Sequence, residues 1–179
     1  MNNSLKQLRF TSMVALGLLT LAGCTTLVPL NYSPSSVLSA SGSLSVAEFQ
    51  YLPALNGKVQ MNQIRNTAIS TPEFDQEIHV FFRDAVFKEL RFVGIKLDNK
   101  ARILTGEIRD FLIDDLGYNI DWSLKVLYRV KASDKILYES ESVTKRRTAK
   151  FVNSFGARNE VIKLNIDELI KVFIKAIND

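Results

Sequence analysis

The sequence predicts an α+β fold, a two-layer sandwich in which two helices cover one face of a small, mainly antiparallel sheet. Residues 74–93 and 159–177 place apolar side chains at the spacing of an amphipathic helix. Between them, three consecutive segments alternate apolar and polar residues, which is typical of strands. Another strand-like segment precedes the first helix. The predicted order is therefore strand, helix, three-strand meander and helix.

The first strand is predicted over residues 44–52, and Pro53 ends it because proline cannot donate a ladder hydrogen bond. Asn56 and Gly57 follow, a pair that is typical of a turn. Residues 58–66 are expected to be irregular or to form a short strand.

The first helix is expected to begin at a capping box of Ser70 and Glu73, with Thr71 and Pro72 supplying an N-cap and a first-turn proline. Gly94 lies where a left-handed C-terminal cap is expected. The polar face is predicted to carry Asp75, Gln76, His79, Arg83 and Glu89.

The meander is predicted from three segments. In residues 101–115 the apolar positions change parity, which indicates a bulge or burial on both sides. In residues 119–132 the even-numbered side chains from Ile120 to Val130 are predicted to face the core. Residues 135–148 form the third predicted strand, and its far end is basic.

The chain opens with the parts of a secretory leader. Lys6 and Arg9 give a basic start, an apolar run follows, and Leu21-Ala22-Gly23 stand directly before Cys24, the only cysteine. This pattern resembles the lipobox of bacterial lipoproteins. The resemblance implies that residues 1–23 are removed and that Cys24 carries the lipid.

Two alternatives to lipidation are a plain signal peptide with a chance cysteine and an uncleaved anchor. The apolar run is shorter than the ~20 residues needed to span a bilayer. Two or more acyl chains, with palmitate among the usual ones, would hold the protein stably. Thr25 follows the cysteine, and in the sorting pattern of enteric bacteria a residue other than aspartate implies the outer membrane. We therefore expect an outer-membrane, lipid-anchored protein that faces the periplasm.

The remaining chain is expected to divide into a flexible tether, residues 24–43, and a single domain, residues 44–179. Residues 24–43 are rich in Ser, Pro and Thr. Of the 23 basic and 19 acidic residues, two basic ones lie in the leader, so the net charge of +4 becomes about +2. This near-neutral balance disfavours a nucleic-acid partner. With Cys24 lipidated, no cysteine remains for a disulfide, and core packing must hold the fold.

The residue types disfavour an enzyme. A hydrolase that used the single histidine, His79, would also need a placed nucleophile, and the sequence contains no recognisable nucleophile motif. His79 is therefore expected to be solvated, and a catalytic centre at His79 is the alternative. The acidic cluster of Asp110, Asp114, Asp115 and Asp121 has no calcium-loop spacing and is expected at the solvated end of a hairpin. No catalytic residue, metal ligand or cofactor is predicted.

The densest charge consists of Lys145, Arg146, Arg147 and Lys150 at the end of the third predicted strand. Such a cluster can attract the phosphates of lipid head groups and of lipopolysaccharide, and it can also attract anionic wall polymer such as peptidoglycan. The alternative is a charged strand end that discourages edge-to-edge pairing. These four residues are the predicted candidate site for an anionic ligand.

Two short motifs carry a family resemblance. KELRFVGI (residues 88–95) is followed by LTGEIRDF (residues 104–111), and Leu164-Asn165 lies inside the terminal helix. The pattern resembles YajG-type lipoproteins and the auxiliary lipoproteins of ABC-type envelope transporters, over roughly residues 70–177. The resemblance implies a small α+β domain tethered to the outer membrane, with no catalytic residues to carry over. We therefore expect a non-enzymatic lipoprotein that binds or scaffolds envelope components, and an accessory role in lipid or substrate transport is the most specific hypothesis.

Overall fold

The computed structural model describes residues 27–68, 71–150 and 154–178. The predicted leader, Cys24 and Ser70 lie outside the described residues. The elements are β1 (Ser45–Tyr51), α1 (Leu52–Leu55), β2 (Arg65–Asn66), α2 (Ile78–Phe92), β3 (Ile103–Asp114), β4 (Asn119–Ala132), β5 (Lys135–Ala149) and α3 (Ser154–Asn178).

The sheet has the order β1-β3-β4-β5, and β2 also pairs with β3. Strands β1 and β2 run parallel to β3, whereas β3, β4 and β5 form an antiparallel meander. Helix α2 packs on β1, helix α3 packs on β4 and β5, and the two helices contact each other. The predicted two-layer α+β fold with two long helices on one face is confirmed.

The details of the meander also agree with the sequence pattern. The register of β3 against β4 shifts between Ile108 and Asp110. At that bulge the buried positions of β3 change from even-numbered residues such as Leu104 to odd-numbered ones such as Phe111. The even-numbered residues of β4 face the core as predicted: Ile120, Trp122, Leu124, Val126, Tyr128 and Val130.

At two positions the structure explains why the residue is glycine. Gly94 has φ of 106° and ends α2 in a Schellman motif. In this motif the Ile95 N–H donates to Leu90 O (2.9 Å) and the Gly94 N–H donates to Arg91 O (3.2 Å). Gly106 leaves room for the ring of Phe49, because a Cβ at this position would lie 2.0 Å from it.

The start of α2 differs from the prediction. The helix begins at Ile78, and Glu77 at its N-cap makes no side-chain capping bond. Residues 73–75 instead form backbone hydrogen bonds with other segments: Glu73 O accepts from Val28 N–H (2.8 Å), and Phe74 N–H donates to Asn62 O (2.9 Å). These pairings hold the expected first turn in an extended form. Helix α3 begins five residues before the predicted start, at Ser154.

The predicted flexible tether also differs from the structure. Residues 28–40, the strap, contain no helix or strand beyond a single bridge, yet they pack across α2 and α3. Leu30 and Tyr32 belong to the hydrophobic core, with exposed fractions of 4% and 6%. The packed chain therefore begins at Val28, close to Cys24. In residues 27–68, 71–150 and 154–178, no helix is long and apolar enough to cross a membrane.

Candidate functional site

The strap is held on α2 by a fully buried carboxylate, Glu89. The Tyr32 hydroxyl donates to Glu89 Oε1 (2.6 Å), and the Ser35 N–H donates to the same oxygen (2.9 Å). The Ser36 N–H donates to Glu89 Oε2 (3.2 Å). Burial, and then the hydrogen bond to Glu89, raise the pKa of Tyr32 well above its ordinary value.

A second carboxylate, Asp167 on α3, holds the middle of the strap. The Ser36 hydroxyl donates to Asp167 Oδ1 (2.6 Å), and Lys163 Nζ donates to Asp167 Oδ2 (2.5 Å). Because Ser36 binds α2 through its N–H and α3 through its hydroxyl, it joins the strap to both helices.

The first residues of the strap lie beside a buried arginine. The Leu30 N–H donates to Asp75 Oδ1 (2.9 Å). The guanidinium of Arg158 lies 5.6 Å from the ring centroid of Phe74 and 5.5 Å from that of Phe81, within the range of cation–π attraction. Burial lowers the pKa of Arg158 to about 10, against the opposing effect of Asp75, so the side chain stays charged at neutral pH.

This packing limits the distance between the domain and the predicted lipid. Val28 follows Cys24 by four residues, and its backbone is bound on both sides: its N–H donates to Glu73 O (2.8 Å) and its O accepts from Asp75 N–H (3.1 Å). Four extended residues reach at most about 14 Å. A lipid on Cys24 would therefore hold the domain close to the membrane surface.

Asn165 joins α3 to the sheet. Its Oδ1 accepts from the hydroxyl of Tyr128 (2.8 Å), and its Nδ2 donates to Thr144 Oγ1 (3.1 Å) and to Ser142 O (3.2 Å). Burial raises the pKa of Tyr128 well above its ordinary value. The Leu164-Asn165 pair noted in the sequence thus contains a residue that positions α3.

The predicted basic site lies at the end of β5, which is an edge strand, and its last residue, Lys150, follows that strand. Lys145 and Arg147 stand opposite Ser123 and Asp121, on the sheet face that the helices leave open. Arg147 donates to both oxygens of Asp121 (2.7 and 2.8 Å), which lowers the pKa of that carboxyl.

The other two basic residues also have acidic partners. Arg146 Nε donates to Glu160 on α3 (3.1 Å), and Lys150 Nζ lies 2.9 Å from Asp115 Oδ1. Three of the four predicted ligand-binding cations therefore form ion pairs, but Arg147 keeps 69% of its side chain exposed. The segment remains a prediction for anion binding.

The predicted acidic cluster divides among separate partners. Asp110 binds Arg65 (2.7 Å), and Asp114 accepts from the hydroxyl of Thr67 (2.8 Å). Asp115 and Asp121 pair with the basic segment, as above. Among the described residues no group of three metal-ligating side chains is placed to hold a metal ion.

His79 lies near Glu77, with 3.5 Å between Nε2 and Oε2, and 22% of its side chain is exposed. The charged residues one helical turn either side of His79 in the sequence bind other groups. Asp75 accepts from the Leu30 N–H, and Arg83 binds Asp84 (2.7 Å). His79 is therefore more enclosed than the solvated side chain that the sequence predicts, and its buried Nδ1 has no hydrogen-bond partner among the described residues.

Two clefts lie at opposite ends of the sandwich. The proximal cleft, about 410 Å³, lies where the strap begins and is lined by Val28, Phe74, Ile113, Asp115, Trp122 and Lys150 among others. The distal cleft, about 260 Å³, is mainly apolar and is lined by Leu44, Ile95, Arg102, Leu137, Tyr138 and Phe173 among others.

Comparison with known proteins gives a fold likeness. No protein-family model matches the sequence, and no curated protein matches it. The crystal structure of protein XCC0632 from Xanthomonas campestris, of the DUF330 family, is similar, with a TM-score of 0.62 and 11% identity over 83% of this chain and 95% of that one. This likeness supports the two-layer fold.

Two further structures are more distant. Protein CT253 of Chlamydia trachomatis has a TM-score of 0.47 and 11% identity, over 77% of this chain and 96% of that one. A minor lipoprotein of Acinetobacter baumannii has a TM-score of 0.36 and 9% identity, over 79% of this chain and 95% of that one. At these TM-scores neither structure carries a conclusion about this chain.

Proposed function

We propose that the chain is a non-enzymatic lipoprotein, anchored to the outer membrane by a lipid on Cys24, whose domain binds or scaffolds components of the cell envelope. A role as an accessory to envelope transport is the most specific form of this proposal. Its first support is the sequence Leu21-Ala22-Gly23-Cys24 after a basic, apolar leader.

The observation that carries the proposal is the docking of the strap. Glu89 and Asp167, both buried, bind Tyr32 and Ser36 of the strap, whose first residue, Val28, is four residues from the predicted lipid site. A free linker would let the domain range far from the membrane, whereas this packing leaves only about 14 Å of reach. Such an arrangement suits a protein that works on partners at the membrane surface.

Anchoring can be tested by cell fractionation. In the test variant, residues 1–23 are replaced by a leader that is cleaved without lipidation, and Cys24→Ser removes the thiol. We expect the unaltered protein in the outer-membrane fraction and the variant in the soluble periplasm. Equal recovery of both proteins with membranes would contradict lipid anchoring.

The distal cleft is the surface that we propose for partner binding. Its lining is mainly apolar, Arg102 adds a positive charge, and Leu137 on the edge strand is 47% exposed. Apolar clefts with a few polar groups are the usual form of a ligand or partner site. The cleft also lies at the end of the sandwich opposite the strap's beginning, where the proposed membrane contact leaves it accessible.

Partner binding can be tested by crosslinking in cells followed by purification. We expect transporter or envelope proteins to copurify with the unaltered protein, and Leu137→Glu to reduce their recovery. Val143→Glu is the matched control, because Val143 lies on the same strand with 50% exposure and outside the cleft lining. Recovery that never exceeds the background of the soluble variant would count against the proposal.

A second candidate function is binding of anionic glycopolymer or lipid through Lys145, Arg146, Arg147 and Lys150. The exposure of Arg147 on the open sheet face favours it. Reversing the four charges to Glu should abolish sedimentation with lipopolysaccharide or peptidoglycan, most clearly at low salt. Reversal of Lys125 and Lys131, on the same strand pair, is the control; unchanged sedimentation of the first variant would reject this function.

A further inference from the structure

The hairpin that joins β3 to β4 presents large side chains to solvent. Leu116 is 76% exposed and Tyr118 is 96% exposed, with Gly117 between them. A hairpin end needs only turn-forming polar residues or glycine. An aliphatic and an aromatic side chain at the most exposed point of the hairpin therefore indicate a contact that is made outside the domain.

The base of this hairpin is braced. The Thr67 hydroxyl donates to Asp114 Oδ1 (2.8 Å) and accepts from the Asp115 N–H (2.9 Å). Lys150 Nζ lies 2.9 Å from Asp115 Oδ1, and the Lys150 N–H donates to Tyr118 O (3.4 Å). These bonds fix the direction of the exposed residues relative to the domain.

The hairpin lies at the same end of the domain as the predicted lipid site. Val28 and Asp115 line the same proximal cleft. Val28 is four residues from Cys24, and Leu27 beside it is 48% exposed. The chain between Cys24 and Val28 reaches at most about 14 Å, so a lipid on Cys24 brings the end of the domain that carries the hairpin toward the bilayer.

We propose that Leu116 and Tyr118, together with Leu27, insert into the interfacial layer of the bilayer that holds the Cys24 lipid. This inference rests on the proposed lipid anchoring. Tyrosine is favoured at the membrane interface because its ring is apolar and its hydroxyl stays wet. Lys145, near the end of β5, and Lys150, which follows that strand, lie toward the same end of the sheet as this hairpin, where cations meet anionic head groups favourably. The lipid and the hairpin would then fix the orientation of the domain.

The test uses the complete lipidated protein in vesicles of phosphatidylethanolamine and phosphatidylglycerol. Because Cys24 is the only cysteine and carries the lipid, a single introduced cysteine accepts an environment-sensitive nitrobenzoxadiazole label. Leu116→Cys places the label at the hairpin. Asp134→Cys is the control, because the β4–β5 turn lies at the other end of a 14-residue strand, roughly 40 Å away.

The label at position 116 is expected to shift its emission to shorter wavelength and to lose most of its intensity when the vesicles contain nitroxide-labelled lipid. The label at position 134 should show neither change. Adding Tyr118→Asp to the Leu116→Cys protein should return the label to water, whereas adding Ile136→Asp should not.

The outcomes separate the two proposals. Intact mass measured on the same sample reports whether Cys24 carries lipid. If the lipid is present and the label at position 116 behaves as in water, insertion is wrong and anchoring stands. Protection from aqueous iodide without quenching by nitroxide lipid would mean that protein covers the hairpin, which also overturns insertion. A bare thiol at Cys24 would overturn both proposals.

Discussion

Charged side chains on the two faces of the sheet differ in what surrounds them. On the helical side, Glu89 is fully buried and accepts three hydrogen bonds from the strap. On the open side, Arg129 bridges Glu107 and Glu139, and Arg109 binds Glu141 (2.7 Å), all in contact with solvent. The open face has more ion pairs, but water competes for each of them.

The difference decides which charges matter for stability. A buried donor that loses its acceptor costs about 1–3 kcal/mol, because water cannot replace the bond. An exposed ion pair contributes about 0–1 kcal/mol. We therefore expect the fold to depend on the few acids beneath the strap more than on the ion pairs of the open face.

The largest effect is expected from Glu89→Ala. It leaves the Tyr32 hydroxyl and the N–H groups of Ser35 and Ser36 without their acceptor, and relief of the buried charge offsets part of this loss. We expect the free energy of unfolding to fall by about 2–4 kcal/mol, measured by urea denaturation. Glu139→Ala, on the open face, is the control and should change it by less than about 1 kcal/mol. Equal losses for the two variants would remove the distinction between the faces.

The next effect concerns the attachment of α3 to the sheet. Asn165→Ala removes the acceptor of the Tyr128 hydroxyl and a donor to Thr144 and Ser142. A loss of about 1–3 kcal/mol is expected in the same denaturation experiment. Lys171→Ala serves for comparison, since its Nζ donates to Glu168 (2.7 Å) at the surface of the same helix. A loss no larger than that of Lys171→Ala would show that this bond set does not hold the helix.

Alkaline pH tests the strap side in another way. The pKa of Tyr32 is raised in the folded protein, so this tyrosine ionises in the unfolded chain at a lower pH than in the folded one. Its contribution to the free energy of unfolding is therefore complete below pH 10 and is lost as the pH rises further. Between pH 9 and pH 11 this tyrosine should account for about 1.4 kcal/mol of lost stability. Tyr32→Phe should weaken the pH dependence by that amount, measured by thermal unfolding at both pH values. An identical pH dependence in the variant would show that Tyr32 ionises freely in the fold.

The smallest effect is expected from Arg129→Ala. Although Arg129 binds two carboxylates, the pair network is open to water, and the loss should stay below about 1 kcal/mol and shrink in added salt. Denaturation at low and high salt measures both quantities. A loss of several kcal/mol that salt does not reduce would mean that the open face is a structural element equal to the strap.

The sheet could be predicted because its signals are local. The alternation along β4 and the change of parity in β3 follow from burial of one face, and burial determines which residue types are tolerated. Gly94 was recognisable as a helix end for the same reason, since its positive φ suits glycine.

The strap was missed because its composition resembles that of a linker. Its serines and prolines carry no periodic signal, and their partners lie more than 50 residues away in the chain. Residue type alone predicts Glu89 on the polar face of the helix. The spacing of Phe82, Val86, Glu89 and Val93 puts it on the apolar stripe. A charged residue on such a stripe was the available signal.

The beginning of α2 was missed because tertiary pairing overrides local preference. Thr71, Pro72 and Glu73 are typical of a helix start, but Glu73 and Phe74 bind Val28 and Asn62 through their backbones. The sequence of residues 70–77 shows neither partner. Similarly, the basic cluster at the end of β5 is visible in the sequence, but the pairing of three of its four residues with Asp115, Asp121 and Glu160 depends on the fold.

Hydrogen exchange of residues 28–40 in the mature protein tests most directly that the chain beside the lipid site is part of the domain. The N–H groups of Leu30, Ser35, Ser36 and Ala40 donate to protein acceptors, so they should exchange far more slowly than in an unstructured peptide. Glu89→Gln should accelerate exchange of the Ser35 and Ser36 N–H groups while the N–H groups of the sheet still exchange slowly. Exchange at the rate of an unstructured peptide throughout the strap would contradict its docking and restore a free tether.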